Sequence, residues 1–295
     1  MYLQKIVAQV TAFLYWTRGM KHILLLSRNQ GFGTPDGHQI MPFAMYSSEI
    51  ESSLGLQVIN IPTQSPTDRT AAITRFLTRT ESESLTHIIV MPHWSEPAEA
   101  LCKWFDQTKA QLCRANHSAT KIMMLDYYAP ICSPHFPVMA HVDRYIKRQT
   151  FNDHMDYSNE YQSGHSYAEF VADTWGFDLA DWQMGSKMPP EHSHKLVSGW
   201  SLGVTPQYRM MLNWSSRVQV PWKYRPIDIQ QRVSGLDKPG CCQDWYQFSR
   251  TKGIESLKKL RTGYRQTATN RVSRKKYFLE LGMSKVVFSP FGWGE

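Results

Sequence analysis

The chain is poor in the residues that would commit it to metal or disulfide chemistry. Its 295 residues include five cysteines, at positions 102, 113, 132, 241 and 242. The count is odd, and the adjacent pair Cys241-Cys242 cannot bridge easily. Both facts argue against a disulfide framework, and a reducing cytosol is the expected compartment. No Cys-x-x-Cys or His-x-x-x-His spacing supports a bound metal. An apolar run long enough to span a bilayer is missing as well. The segment Met1 to Trp16 carries one lysine, and Gln9 and Thr11 interrupt its apolar run from Ile6, so it is too short to cross a membrane. It also lacks the small-residue cleavage site of a signal peptide. Residues 1–21 are expected to form an amphipathic helix, docked on its own domain or lying on a membrane surface.

What is present is a soluble, globular composition, with hydrophobic residues at 42% and charged residues at 20%. The formal net charge of +8 favours anionic partners without choosing among them. Two basic clusters, Lys258/Lys259/Arg261 and Arg271/Arg274/Lys275/Lys276, sit on amphipathic segments without interleaved aromatics. They read as solvated or membrane-facing helix sides, and nucleic acid is not an expected partner.

Continuous apolar runs alternate with helical periodicity through the first half. Strands are predicted at 22–27, 57–61, 86–91, 121–126 and 143–148, all in one mainly parallel sheet with helices on both faces. Helices are predicted over Gln39 to Leu54, over Thr67 to Thr80 with Thr67 or Ser65 as its cap, and from a Ser95 cap through Leu112. The stretch from Asn152 to Tyr224 is rich in Tyr, Trp, His, Gly and Pro and is expected to be irregular, apart from helices at Ser166–Trp175 and Pro206–Trp214.

A second alternation begins at Arg225. A half-buried strand at Ile227–Val233 and a turn at Asp237–Gly240 precede an amphipathic helix over Asp244–Leu260 with Trp245, Phe248, Ile254 and Leu257 on one side. A helix over Val272–Leu281 leads to a buried strand at Val286–Phe288, stopped by Ser289-Pro290. The Phe291-Gly292-Trp293-Gly294-Glu295 that follows has the form of a turn at the carboxyl end of a strand, where α/β sheets place ligands.

The ten residues Val-Val-Phe-Ser-Pro-Phe-Gly-Trp-Gly-Glu, 286–295, resemble the nucleotide-sugar segment of bacterial glycosyltransferases of GT-B architecture, of the family 1 or exostosin-like kind. Weaker similarity lies in Leu125–Pro130, Val142–Gln149 and Val272–Leu281. In that family the segment runs on through Cys-x-Arg-Asp-x-Glu into a helix, which does not follow here. The resemblance therefore implies two Rossmann-like domains, the second incomplete: residues 22–150 on the acceptor side, an irregular region 151–224, and residues 225–295 on the donor side. It implies transfer of a sugar from a nucleotide-sugar to a glycan or lipid-linked acceptor, in the cytoplasm with peripheral contact at the inner membrane. No cofactor beyond that donor substrate is expected, and the absence of Asp-x-Asp argues against the metal-dependent class. The alternatives are a non-catalytic remnant or binding module, and a basic nucleic-acid-associated α/β protein.

The candidate site residues follow from placement and resemblance together. Gly31 and Gly33 lie in the Gly-rich loop after the first strand, which either cradles a phosphate or an acceptor hydroxyl or is an ordinary connection; its spacing does not match a dinucleotide fingerprint. Asp36 and His38 flank it as candidate general bases. His93 ends a buried strand, as either a site residue or a cap of the following helix. Asp126 ends the next strand, where a solvent-facing turn is the plainer reading. Arg232 is a candidate for the diphosphate or a surface salt bridge. The resemblance places Ser289, Gly292, Trp293 and Gly294 at the donor, with Glu295 holding a sugar or ribose hydroxyl.

Overall fold

The structure is a computed structural model, and it describes residues 20–28, 35–128, 130–159, 161, 164–176, 185–200, 210, 213, 220–232, 244–260, 263–270 and 272–289. Side chains at 35, 36, 38, 244–248 and 274 fall outside that set, as do the expected N-terminal helix, the Pro206–Trp214 helix save residues 210 and 213, and the Asp237–Gly240 turn. The chain divides into two compact units, Met1–Gly164 with Gln183–Leu202, and His165–Trp182 with Gly203–Glu295. The region 151–224 contributes to both units.

The first unit is α/β. In chain order it runs β1 (Lys21–Ser27), α1 (Pro35–Met45), α2 (Ser47–Leu54), β2 (Leu56–Pro62), α3 (Pro66–Leu77), β3 (Leu85–Val90), α4 (Ala98–Arg114), β4 (Lys121–Asp126), β5 (Arg144–Lys147) and β6 (Leu196–Ser198). The strands form one six-stranded sheet in the order β2-β1-β3-β4-β5-β6, with every pair parallel. The five expected strands are all in it. The sixth, β6, comes from the stretch read as irregular, because three residues are too few to show a period.

Burial on both faces explains the unbroken apolar runs. Leu24 and Leu26 of β1 join Ile73, Phe76, Ile88, Val90, Phe105 and Met124 on one side, while Ile23 and Leu25 join Ile40, Ile89, Met91 and Leu125 on the other. Successive strand residues point to opposite faces, so a central strand must be apolar at both.

Local chemistry moves several boundaries. The helix expected over Gln39–Leu54 begins at Pro35, whose fixed φ suits a first turn, and is broken at Tyr46, which leaves helical geometry at φ −105° and ψ 22°. Its second part ends at Gly55, whose left-handed φ of 63° turns the chain directly into β2. Ser65 caps α3 by accepting from the Asp68 N–H. Ser95 does not cap α4: Pro97 occupies the cap position, and the Ser95 hydroxyl is engaged with His93 instead.

In the second unit, α5 (Ser166–Trp175) has the expected bounds. Further along come β7 (Ile227–Gln230), α6 (Asp244–Lys259), α7 (Arg274–Gly282) and β8 (Ser284–Val287). Strands β7 and β8 are parallel neighbours. Ile254 of α6 is buried, while Lys252, Glu255, Lys258 and Lys259 face solvent. The strand expected to be buried at Val286–Phe288 is instead an exposed one. Ser284 is buried, but Val286 is 53% and Val287 39% exposed. Phe288 is half-buried over Gly253 of α6, where an added Cβ would lie 2.4 Å from its ring.

Candidate functional site

The strand order of the first unit marks a position on its own. The connection after β1 returns to β2 on one side, and the connection after β3 leads to β4 on the other. The carboxyl ends of β1 and β3 therefore flank a topological switch point, where parallel α/β sheets open a crevice. The β1 end is Ser27, whose hydroxyl donates to Asn60 Oδ1 at 2.6 Å and whose carbonyl accepts the Thr63 N–H at 2.6 Å. The β3 end runs Met91-Pro92-His93-Trp94-Ser95-Glu96 into α4.

His93 is fixed there by its neighbours. Its N–H donates to Glu96 Oε1 at 2.7 Å, and its Nδ1 lies 2.5 Å from Ser95 Oγ. Glu96 is the hub of this loop. Its carboxylate takes both prongs of the Arg69 guanidinium from α3, at 2.9 and 2.5 Å, and its carbonyl lies 2.8 Å from His135 Nε2. Arg69 is buried and stacks over Trp104, its charge 5.0 Å from the ring centre. Burial alone would raise the Glu96 pKa, but the Arg69 hydrogen bond and charge outweigh it and hold the carboxyl below its usual value.

A second polar cluster lies at the ends of the next two strands, β4 and β5. Asp126 at the end of β4 and Lys147 at the end of β5 are cross-strand partners. They are 3% and 0% exposed, and their charged atoms are 3.7 Å apart. The expected solvent-facing turn is thus corrected: Asp126 is buried, because the adjacent strand brings a lysine to its side. Its Oδ1 accepts the Tyr128 N–H at 2.8 Å, and its Oδ2 accepts from the Tyr145 hydroxyl at 2.7 Å. Lys147 Nζ donates to the Tyr128 carbonyl at 2.6 Å. Burial opposes the charge on Asp126, yet Lys147, His135 and hydrogen bonds from Ser133 and Tyr145 together hold its carboxyl below the ordinary range. Burial also pushes the Lys147 ammonium below its usual pKa, against the pull of Asp126.

The aromatic rings of Trp94 and Tyr128 join the two clusters. They are nearly parallel, at 19° with centroids 5.9 Å apart, and the His93 ring is 5.3 Å from that of Trp94. Sequence reasoning picked out His93 and passed over Trp94, Glu96, Arg69, Tyr128 and Lys147. The available signal was a charged residue closing each of two neighbouring buried strands, Asp126 and Lys147.

The other sequence candidates are dispersed. Asp36 and His38 lie in the first turn of α1, with their side chains outside the described set; Gly31 and Gly33 are outside the described residues. Gly292, Trp293, Gly294 and Glu295 are also outside them, and Ser289 is exposed just beyond β8. Arg232 follows β7 and is held by Glu280 through two 2.7 Å bonds, with Asn270 on its remaining prong. The salt-bridge arrangement, held open by the sequence, is the one found for that residue.

Among the described residues, no group of three or more His, Cys, Asp or Glu is placed to hold a metal, and no helix is long and apolar enough to cross a membrane. In comparisons with protein families, curated proteins and solved structures, the chain matches none.

Proposed function

We propose that the chain acts as a glycosyltransferase of the GT-B type, moving a sugar from a nucleotide-sugar to a glycan or lipid-linked acceptor. The observation that carries this reading is the parallel β7–β8 pair. Phe288 N–H donates to the Gln230 carbonyl at 2.8 Å, so the described part of the stretch with the family resemblance, residues 286–289, closes a parallel strand and continues past its carboxyl end. The second unit thus has a parallel strand pair with α6 and α7 between its strands along the chain, which supports reading it as part of a second Rossmann-like domain.

In this reaction an acceptor hydroxyl oxygen bonds to the anomeric carbon while the bond from that carbon to the diphosphate breaks. The hydroxyl proton passes to a base, for which His93, Asp36 and His38 are the candidates. The departing diphosphate needs backbone N–H groups and free cations. Arg232 would supply one only by exchanging Glu280 for the phosphate. Glu295 would hold a sugar or ribose hydroxyl, orienting the anomeric carbon. Peripheral attachment through the basic helices would bring the protein to a lipid-linked acceptor.

Titration calorimetry of the chain with UDP, GDP and dTDP and their glucosyl or mannosyl derivatives tests this. At least one should bind, and Glu295→Gln should weaken that binding about tenfold, the effect of replacing a charged hydrogen-bond acceptor by a neutral one. No binding by any of them overturns the reading, and salt-dependent retention on DNA in their place would favour a nucleic-acid partner.

A further inference from the structure

We propose that Trp94 is a stacking platform for a neutral sugar ring. This deepens the transferase reading, from which it takes the class of ligand, and makes the carboxyl edge of β3 and β4 the place where the acceptor glycan docks.

Trp94 is 42% exposed, yet its orientation is determined from beneath. Tyr128, itself buried, stacks against it at 19° and 5.9 Å, within the range of offset aromatic pairs. Tyr128 is clamped at both backbone groups, its N–H by Asp126 and its carbonyl by Lys147, and the Lys147 ammonium sits 5.9 Å from its ring centre. An exposed indole therefore rests on a ring that a buried ion pair holds in place. The packed face of the indole covers Tyr128, and its other face is left open to solvent. A rigid aromatic surface suits a ligand with a flat apolar face, because little freedom is lost on binding. The negative face of the indole attracts polarised C–H groups such as those on one side of a pyranose.

Two cations of this region, Arg69 and Lys147, are 2% and 0% exposed and bound to Glu96 and Asp126, so neither offers its charge to a phosphate beside Trp94. The polar groups at its rim are the His93 ring and the exposed Ser95 hydroxyl, bonded to each other, and the hydroxyl oxygen retains acceptor capacity for a hydroxyl of an uncharged glycan.

The test is saturation-transfer NMR and calorimetry on the full chain with maltohexaose, cellohexaose and chitohexaose, in Trp94→Ala, Trp94→Phe and Trp222→Ala variants. Trp222 is an exposed tryptophan of the second unit and serves as the control. At least one saccharide should receive magnetisation at its ring protons. Trp94→Ala should weaken it about tenfold or more, Trp94→Phe by a few-fold, and Trp222→Ala not at all. Absence of binding by all three saccharides, or equal binding by a folded Trp94→Ala protein, overturns the proposal. Loss of affinity in Trp222→Ala alone does so too. Nucleoside-diphosphate titrations of the same samples keep the two ideas apart. Donor binding without glycan binding sinks the platform and leaves the transferase reading intact, whereas glycan binding at Trp94 with no donor binding does the reverse.

Discussion

The two units carry ion pairs of similar composition in different settings. In the first, Asp126 and Lys147 are cross-strand neighbours at the ends of central strands, shut off from solvent and sharing the Tyr128 backbone between them. In the second, Arg232 and Glu280 join the end of β7 to α7 at the rim of a two-stranded sheet, with side chains 9% and 11% exposed and Asn270 completing the guanidinium's bonds. The apolar side chains follow the same contrast: β1 is buried along six of its residues, whereas β8 turns two valines outward. A charge in the first setting is solvated by its partner and a few protein hydrogen bonds alone, with no water to replace what a lost partner supplied. In the second, water can replace part of what a lost partner supplied. The difference teaches where a substitution will act on folding and where it will act locally.

The largest expected effect tests the buried pair. Asp126→Ala strands the Lys147 charge and should cost roughly 3–5 kcal/mol by equilibrium urea unfolding, while adding Lys147→Met should recover much of the loss. A change below about 1 kcal/mol would mean that solvent reaches the pair, and the contrast between the units would collapse.

Glu96 comes next, since its loss leaves a buried Arg69 with one partner fewer. Glu96→Gln should cost about 2 kcal/mol near neutral pH. The folded carboxyl is held below its ordinary pKa, so its contribution is complete above the unfolded value of about 4.3 and fades as pH falls through the lower folded value. Wild type should accordingly lose stability between about pH 5 and 3 more steeply than Glu96→Gln. Parallel acid limbs for the two proteins would show that Glu96 is not the titrating group.

Arg232→Ala should cost about 1–2 kcal/mol, less than either change in the first unit, because water reaches the rim. A loss equal to that of Asp126→Ala would sharpen the picture in the opposite sense, making the second sheet as closed as the first. The smallest expected effect is that of Val286→Thr and Val287→Thr, each within about 0.5 kcal/mol, since exposed side chains exchange little area with water on folding. A larger loss, measured by the same urea titration, would show β8 to be covered in solution.

Much of the fold was legible because burial writes itself into composition. The run His22-Ile-Leu-Leu-Leu-Ser27 can only be a strand covered on both faces, and the repetition of such runs between amphipathic segments calls for a parallel sheet. Helix boundaries were less legible where a single residue decides them, as at Tyr46, where the backbone leaves the helix, and Pro97, which displaces Ser95 from the cap. The candidate site was legible in one residue, His93, since its place at a strand's carboxyl end is a matter of chain position. Its surroundings were not. Arg69 and Glu96 are 27 residues apart, and Asp126 and Lys147 are 21 apart, so nothing periodic links either pair.

The sequence by itself determined that the segments forming β1 to β5 are strands and that they run parallel. These follow from apolar patterning and turn chemistry acting over a few residues. Only the tertiary structure decided that Asp126 is buried, that Lys147 lies across from it, and that Trp94 stacks on Tyr128. Each depends on the register between strands joined by long crossovers, and a parallel pair has no tight turn to set that register from local sequence. Packing of the intervening segments sets it, and with it which charges meet.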